Sequence, residues 1–520
     1  MVSHKHSLAA ALFLGTCTAQ LLANPLVRPA STKDHEYHED HHEDHGYKGD
    51  YKPASSSLGD GPQQRLNTAE PQSNLPPFKA GQFTLTPQGN DTCATYGEDQ
   101  WTGTIDVTDE RRLFFWYFDS RNDPENDPVI IWLNGGPGGS SMMGLFNELG
   151  PCWLDPGASD TVPNDFAWNN NASLLFLDQP AGVGFSSLAE GSPLPGADMD
   201  GAQDFQTFLD VFFADVFPSK AHLPIHLAAE SYGGHYAPTY LDHILTSRAY
   251  DSPSAFRGDI ESLILVNAVI DFAAPSVGAY ELLCSDYRGG GIVNATACES
   301  IHRDAVECES LGRSCALSYD PHECFAMVTF CQDRIDAWYW EQVELGLRNP
   351  YNIGIGCPHN FPSCDDERKG NFTAYLNQPR ILEALRFPAG FTFDNVNMAI
   401  NEAYTGSDTP WKPTTREVSA VLAAGVRVLV LNGNEDYVVN TPGNAWAYDN
   451  LLWDGHAEFR IAPWGPLPED VSAATGFWKG TRDGRLVFVG VDGGGHTVPG
   501  DVREGSAQIL QRWIEGRWSA

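Results

Sequence analysis

The chain has 520 residues, of which 42% are hydrophobic and 14 are Trp, more apolar surface than a mostly disordered protein carries. Its formal net charge of −36 excludes the basic footprint of a nucleic-acid binder. The first 78 residues carry only −3 of that charge, so the acidity belongs to the remainder and suits a working pH at which carboxylates begin to protonate.

The N-terminus reads MVSHKHSLAAALFLGTCTAQ. A short basic start, an apolar run at 8–14 and small residues at Cys17 and Ala19 predict a signal peptide over 1–19. Residues 20–77 are polar and poor in apolar side chains, which predicts a disordered pro-segment or tail. Its His35, His38, His41, His42 and His45 offer a possible metal chelate, but a solvated pro-segment is the simpler reading. No later stretch approaches the roughly 18 apolar residues of a membrane span, and the C-terminus lacks a lipid-anchor tail. Losing Cys17 leaves ten cysteines, an even number suited to disulfides. Sequons at Asn90, Asn171, Asn294 and Asn371 predict glycosylation on the same route. The expectation is a secreted protein, with an acidic vacuole- or lysosome-like compartment as the alternative.

Ordered structure is predicted from Phe78. Strands are expected at 113–118 and Val129–Leu133, then at SLLFLD, followed by a helix with apolar residues at helical spacing in AQDFQTFLDVFFADVF. IHLAAE, LILVNA, VRVLVLNG and RLVFVGV are further short apolar runs ending in small or polar residues. Such runs between helical patterns predict an α/β protein with a mostly parallel central sheet covered on both faces. The core would span 78–272 and 414–520. Residues 273–413 hold eight of the ten remaining cysteines and few strand-like runs, so they are predicted to be a disulfide-rich insertion. The spacing of Cys308, Cys315, Cys324 and Cys331 suits a helical hairpin with nested bridges 308–331 and 315–324. A zinc site is disfavoured because close Cys-x-x-Cys pairs are missing.

Ser231, in AAESYGGHY, lies between a strand and a predicted helix. Small-x-Ser-x-Gly at such a turn is a nucleophile elbow, with Ala229 where Gly is usual. A nucleophilic serine needs an acid and a histidine, each just beyond a later strand. GNEDYVVN supplies Glu435 or Asp436, and GGGHTVPG supplies His496. In this arrangement His496 takes the serine proton while the acid fixes the imidazole tautomer. The turn WLNGGPGGSS lacks the Gly-Lys-Ser/Thr ending of a phosphate-binding loop. Its glycines suit an oxyanion hole. No cofactor or metal is expected.

These segments together, with FFWYFDSRNDPENDPVIIWLNGGPGGSSMMGLFNELGP and FLDQPAGVGFS, resemble the serine carboxypeptidases, the family of carboxypeptidase Y, from about Thr102 to the C-terminus. The resemblance implies an α/β-hydrolase fold with the insertion above the active site, and the triad Ser231, Asp436 and His496. It also implies oxyanion amides at Gly136 and Tyr232. Asn134, the Gly135 amide and Glu230, backed by Glu148, are implied to grip the substrate's C-terminal carboxylate. Desolvation and a like charge would keep Glu230 protonated, able to donate to that carboxylate. Bridges 284–298, 308–331, 315–324 and 357–364 are implied; Cys93 and Cys152 remain, and their partners are left open. The chain departs from the family at Gly139 and Val439, where Cys occurs in relatives. It departs again at Asn147, often an aromatic of the leaving-residue pocket, and at Thr497, where a Met is common. Cys152 after GLFNELGP resembles the secreted fungal branch.

The expected activity is that of an acid serine carboxypeptidase acting on peptides and proteins with a free C-terminus. The alternatives are an acyltransferase or esterase using the same acyl-enzyme, and a protective or binding protein with incidental activity.

Overall fold

The central strands are buried on both faces, with successive side chains entering opposite clusters. In Val129–Leu133, Val129, Ile131 and Leu133 join one apolar cluster while Ile130 and Trp132 join the other. The computed structural model describes residues 77–285, 291–357, 364, 369–407 and 411–519. The predicted signal peptide and His-rich segment lie outside the described residues.

The longer strands are β1 (Phe83–Gln88), β2 (Gln100–Asp106), β3 (Arg111–Phe118), β4 (Val129–Leu133), β5 (Ser173–Asp178), β6 (Ile225–Glu230), β7 (Ile260–Val266), β8 (Arg427–Gly433), β9 (Gly476–Gly480) and β10 (Leu486–Val491). They form one sheet in the order β1-β2-β3-β5-β4-β6-β7-β8-β10-β9. The run from β5 to β10 is parallel. Both flanks are antiparallel, through β1–β2–β3–β5 and β10–β9. The expected parallel sheet is therefore its centre. The sequence reading lacks β1, β2 and β9, because FTLTPQ and GFWKG are half-exposed and QWTGTID mixes small and polar residues.

Helices cover the faces. Besides the short α1 (Met142–Asn147) these include α2 (Asp198–Val211), which runs into a π-helical turn at Phe212–Val216, and α3 (Gly233–Ala249). Phe205, Phe208, Leu209 and Phe212 are buried from this run, which is the spacing that predicted it. Between β7 and β8 the described residues add no strand to the sheet. They hold α4 (Ala274–Cys284), α5 (Ala295–Ser318), α6 (Pro321–Cys331) and α7 (Ala337–Glu344). The Asn294 side chain caps α5 by accepting from the Ala297 amide at 2.9 Å. Asp320 caps α6 by accepting from His322 and Glu323 at 2.9 and 3.0 Å, with Pro321 at the first helical position. The hairpin carries the nested bridges Cys308–Cys331 and Cys315–Cys324, as the spacing predicted, which removes those thiols from any zinc site. Cys284–Cys298, Cys357–Cys364 and Cys93–Cys152 complete five disulfides.

Buried titratable groups give the fold a pH preference. Burial pushes Asp178, Asp271 and Asp336 up to about 6, and Asp198 up to about 7. In the unfolded chain an Asp titrates near ~3.9, so the stability these groups contribute is complete below that pH. It is lost as pH rises through 6 to 7. Burial pushes His226 down to about 3 and His235 down to about 4, which acts the other way. Those histidines add stability as pH rises toward ~6.5, their unfolded value, and nothing beyond it. Above that point only the acids act. The melting temperature is expected to fall between pH 6.5 and 8, and a flat or rising profile in a thermal scan would contradict this account.

Candidate active site

Ser231 occupies the turn between β6 and α3 with φ of +61°, a left-handed conformation that costs a residue bearing a Cβ about 1–2 kcal/mol. Backbone bonds hold the turn: the Ser231 amide donates to the Val266 carbonyl at 3.2 Å, and the Val269 amide to the Ser231 carbonyl at 3.0 Å. The chain can turn so tightly because its neighbours are small. A Cβ on Gly233 would lie 2.7 Å from the Ala229 Cβ, and one on Gly234 would lie 2.3 Å from the Val269 carbonyl. Ala229 thus fits where Gly is usual.

Asp436 follows β8 and His496 follows β10. The Nδ1 of His496 lies 2.7 Å from Oδ2 of Asp436, and both side chains are buried. With Nδ1–H donating to the carboxylate, a neutral imidazole presents Nε2 as an acceptor. That Nε2 is buried and makes no hydrogen bond among the described residues, so the link to the Ser231 hydroxyl is open. Such links commonly tighten only with substrate. Asn267, which the sequence reading missed, donates from Nδ2 to Asp436 Oδ2 at 2.8 Å. Its own Oδ1 accepts from the Gly433 amide at 2.9 Å. The only sequence trace of this role is a polar residue ending the apolar run LILVN.

The Gly-rich turn after β4 runs against the elbow. A Cβ on Gly135 would lie 2.4 Å from the Tyr232 nitrogen and 2.6 Å from the Glu230 carbonyl. Gly136 has φ of +121°, open to glycine alone. Among the described residues the backbone amides of Gly136 and Tyr232 donate to no backbone acceptor. Asp178, also missed, ties this turn to the loop after β5. It accepts from Ser140 Oγ at 2.6 Å, the Ser141 amide at 2.9 Å and the Phe185 amide at 2.8 Å.

Two acids lie under the same turn. Asn134 Nδ2 reaches Glu230 Oε1 at 3.1 Å and Glu148 Oε1 at 3.4 Å. Its Oδ1 is fixed by the Trp132 indole at 2.7 Å and the Gly144 amide at 3.0 Å. All three residues are buried, and each acid keeps one oxygen that has no hydrogen-bond partner among the described residues. Burial, then the charge of Glu148, pushes Glu230 well above the usual carboxylate range, and Lys369 offsets this in part. A neutral carboxyl there can donate to an incoming carboxylate. Lys369 itself binds Thr497 Oγ1 and lies 3.3 Å from Asp501. Asn147 Nδ2 donates to the neighbouring Gly370 carbonyl at 3.2 Å. Two of the departures from the family pattern, Asn147 and Thr497, thus meet one segment. Gly139 instead bonds its amide to the Gly135 carbonyl at 3.0 Å, and Val439 is buried.

Asn90, Asn294 and Asn371 are exposed and Asn171 is half-buried. No helix among the described residues is long and apolar enough to cross a membrane, and none of their His, Cys, Asp and Glu side chains forms a group of three able to hold a metal.

Residues 90–516 match the family model described as serine carboxypeptidase. Carboxypeptidase Y homolog A of Aspergillus niger is 34% identical over 427 residues, covering 81% of this chain and 73% of that protein. Carboxypeptidase Y of Schizosaccharomyces pombe is 35% identical over 434 residues, covering 80% of this chain and 41% of that protein. The crystal structure of Kex1(Δ)p, a prohormone-processing carboxypeptidase from Saccharomyces cerevisiae, shares the fold. It superposes with a TM-score of 0.66 at 22% identity, over 83% of this chain and 95% of that one.

Proposed function

Because this chain belongs to the serine carboxypeptidase family, an α/β-hydrolase fold, we propose that it releases single C-terminal residues from peptides and proteins through an acyl-enzyme on Ser231. His496 accepts the Ser231 proton as the hydroxyl attacks the scissile carbonyl, then returns it to the departing amino acid. Asp436 holds the tautomer and stabilises the imidazolium. The Gly136 and Tyr232 amides receive the developing oxyanion. A water then follows the same path in reverse to free the shortened peptide. This chemistry is common to all serine acyl transfer. The observation that carries the exopeptidase reading is the buried trio Asn134, Glu148 and Glu230 beside the elbow. Glu230 directly precedes Ser231 in the chain, which supports a chain end being held close to the nucleophile.

We also assign the catalytic core to 78–272 and 414–520 and the cap to 273–413, supported by the helical run, to which the described residues add no strand, and by its four disulfides. Five disulfides support passage through an oxidising compartment and secretion. The test is digestion of a peptide and its C-terminal amide at pH 4–6, with products read by mass spectrometry. Successive loss of single residues from the free acid alone is the expected result. Internal cleavage, or equal attack on both, would overturn the exopeptidase assignment.

A further inference from the structure

Asp436 and His496 stand on loops after two different strands, and something must hold those loops in register. We infer that the turn at 349–353, inside the disulfide-rich region, is that clamp, and that Asn349 is its positioning residue. This rests on the catalytic roles proposed above.

The turn grips both loops through its backbone. The His496 amide donates to the Tyr351 carbonyl at 2.7 Å, and the two rings lie 5.4 Å apart. A Cβ on Gly495 would lie 2.4 Å from the same carbonyl, so the approach leaves no slack. On the other loop, the Tyr437 and Val438 amides both donate to the Pro350 carbonyl, at 3.2 and 3.3 Å. The Ile353 amide donates to the Glu435 carbonyl at 2.8 Å. Asp436 is therefore held on both sides, and His496 is held at its own amide. The loops also touch directly, through the Glu435 amide and the Gly494 carbonyl at 2.8 Å.

Asn349 sets the shape of this turn. Its side chain is buried, accepts from the Tyr351 amide at 2.8 Å and donates to the Cys364 carbonyl at 2.9 Å. Its backbone carbonyl accepts from the Tyr339 hydroxyl at 2.8 Å, and its amide donates to Ile355 at 3.0 Å. Cys364 is bonded to Cys357, and Tyr339 stacks on Tyr437 at 3.8 Å. Asn349 thus joins a disulfide, an aromatic stack and the strand-like turn that touches His496, while its side chain bonds to no triad member. A side chain of this kind acts through geometry. A displacement near 1 Å at the reacting groups costs about 100-fold in rate.

The experiment uses the secreted full-length protein with two readouts: peptide kinetics, and the rate at which a fluorophosphonate labels Ser231. Asn349→Ala is expected to lower kcat by about 10- to 100-fold with KM within about twofold of the parent. Labelling should slow by a similar factor, because it needs the same base. Asn349→Asp keeps the acceptor for the Tyr351 amide and should recover most of kcat. Should Asn349→Ala fail to fold, Tyr339→Phe removes one hydroxyl bond to Asn349 and should lower kcat several-fold at constant KM. A folded Asn349→Ala, or a Tyr339→Phe in its place, with parental kcat and labelling rate would overturn the inference, as would a change confined to KM. A parent protein that labels at Ser231 yet releases no C-terminal residue would instead refute the carboxypeptidase reading and leave the clamp standing.

Discussion

Replacing Ser231 by Ala is expected to lower kcat by about five to six orders of magnitude and to leave the protein folded. The rate effect follows from losing the attacking oxygen itself: the Gly136 and Tyr232 amides and the binding site remain, and they retain only a small residue of catalysis. The stability effect follows from what holds the turn. Its bonds are made by the Ser231 amide and carbonyl, which Ala keeps. A Ser231→Gly variant separates strain from chemistry. At φ of +61° a Cβ is penalised and glycine is not, so this variant should be as inactive as the Ala form yet melt at least as high as the parent. The checks are steady-state kinetics at pH 5 and a thermal scan of each purified variant. An Ala variant with more than about one-hundredth of the parental kcat would remove Ser231 from the mechanism.

The sequence discloses the proposed triad because each member follows a buried strand, and buried parallel strands announce themselves as largely apolar runs. Ile225–Glu230, Arg427–Gly433 and Leu486–Val491 are of that kind. The disulfide hairpin is legible for a similar reason, since cysteine spacing survives as a count along the chain. The groups that position the site are not legible. Tyr351 and Pro350 act through carbonyl oxygens, which every residue possesses, so no pattern marks them. Asn267 and Asp178 act through side chains, but what they hold is brought to them by tertiary folding: Asp436 lies 169 positions from Asn267 in the chain. Flank strands such as Phe83–Gln88 escape because a half-exposed edge needs neither strict alternation nor continuous apolarity. What periodicity reports is burial. Function here depends equally on backbone groups that burial does not distinguish.

Glu230 should make peptide binding weaken as pH rises. Its carboxyl lies well above the usual range because it is buried beside Glu148, and the protonated form therefore persists into mildly acidic solution. In that form, under the proposed role, it donates to the substrate's terminal carboxylate. Once ionised, it opposes that carboxylate at short range in a site from which water is excluded. The groups facing it are Glu148 and Asp436, which favour the proton, and Lys369, which disfavours it. Peptide KM should therefore climb with pH once Glu230 begins to ionise, by at most about tenfold per pH unit for one required proton. A matched C-terminal amide brings no negative charge, so its KM should not follow this rise. Glu230→Gln keeps a donor that cannot ionise. It should bind peptides within several-fold of the parent at pH 5 and more tightly than the parent at pH 8, with a flat profile between. His496 must be neutral to accept the serine proton, and that demand appears in kcat for peptide and amide alike. The comparison of KM between the two substrates therefore isolates the acid. Parallel KM–pH curves for peptide and amide, or an unflattened curve in Glu230→Gln, would show that Glu230 does not read the chain end, and the specificity for free C-termini would then rest on Asn134 and the Gly135 amide alone.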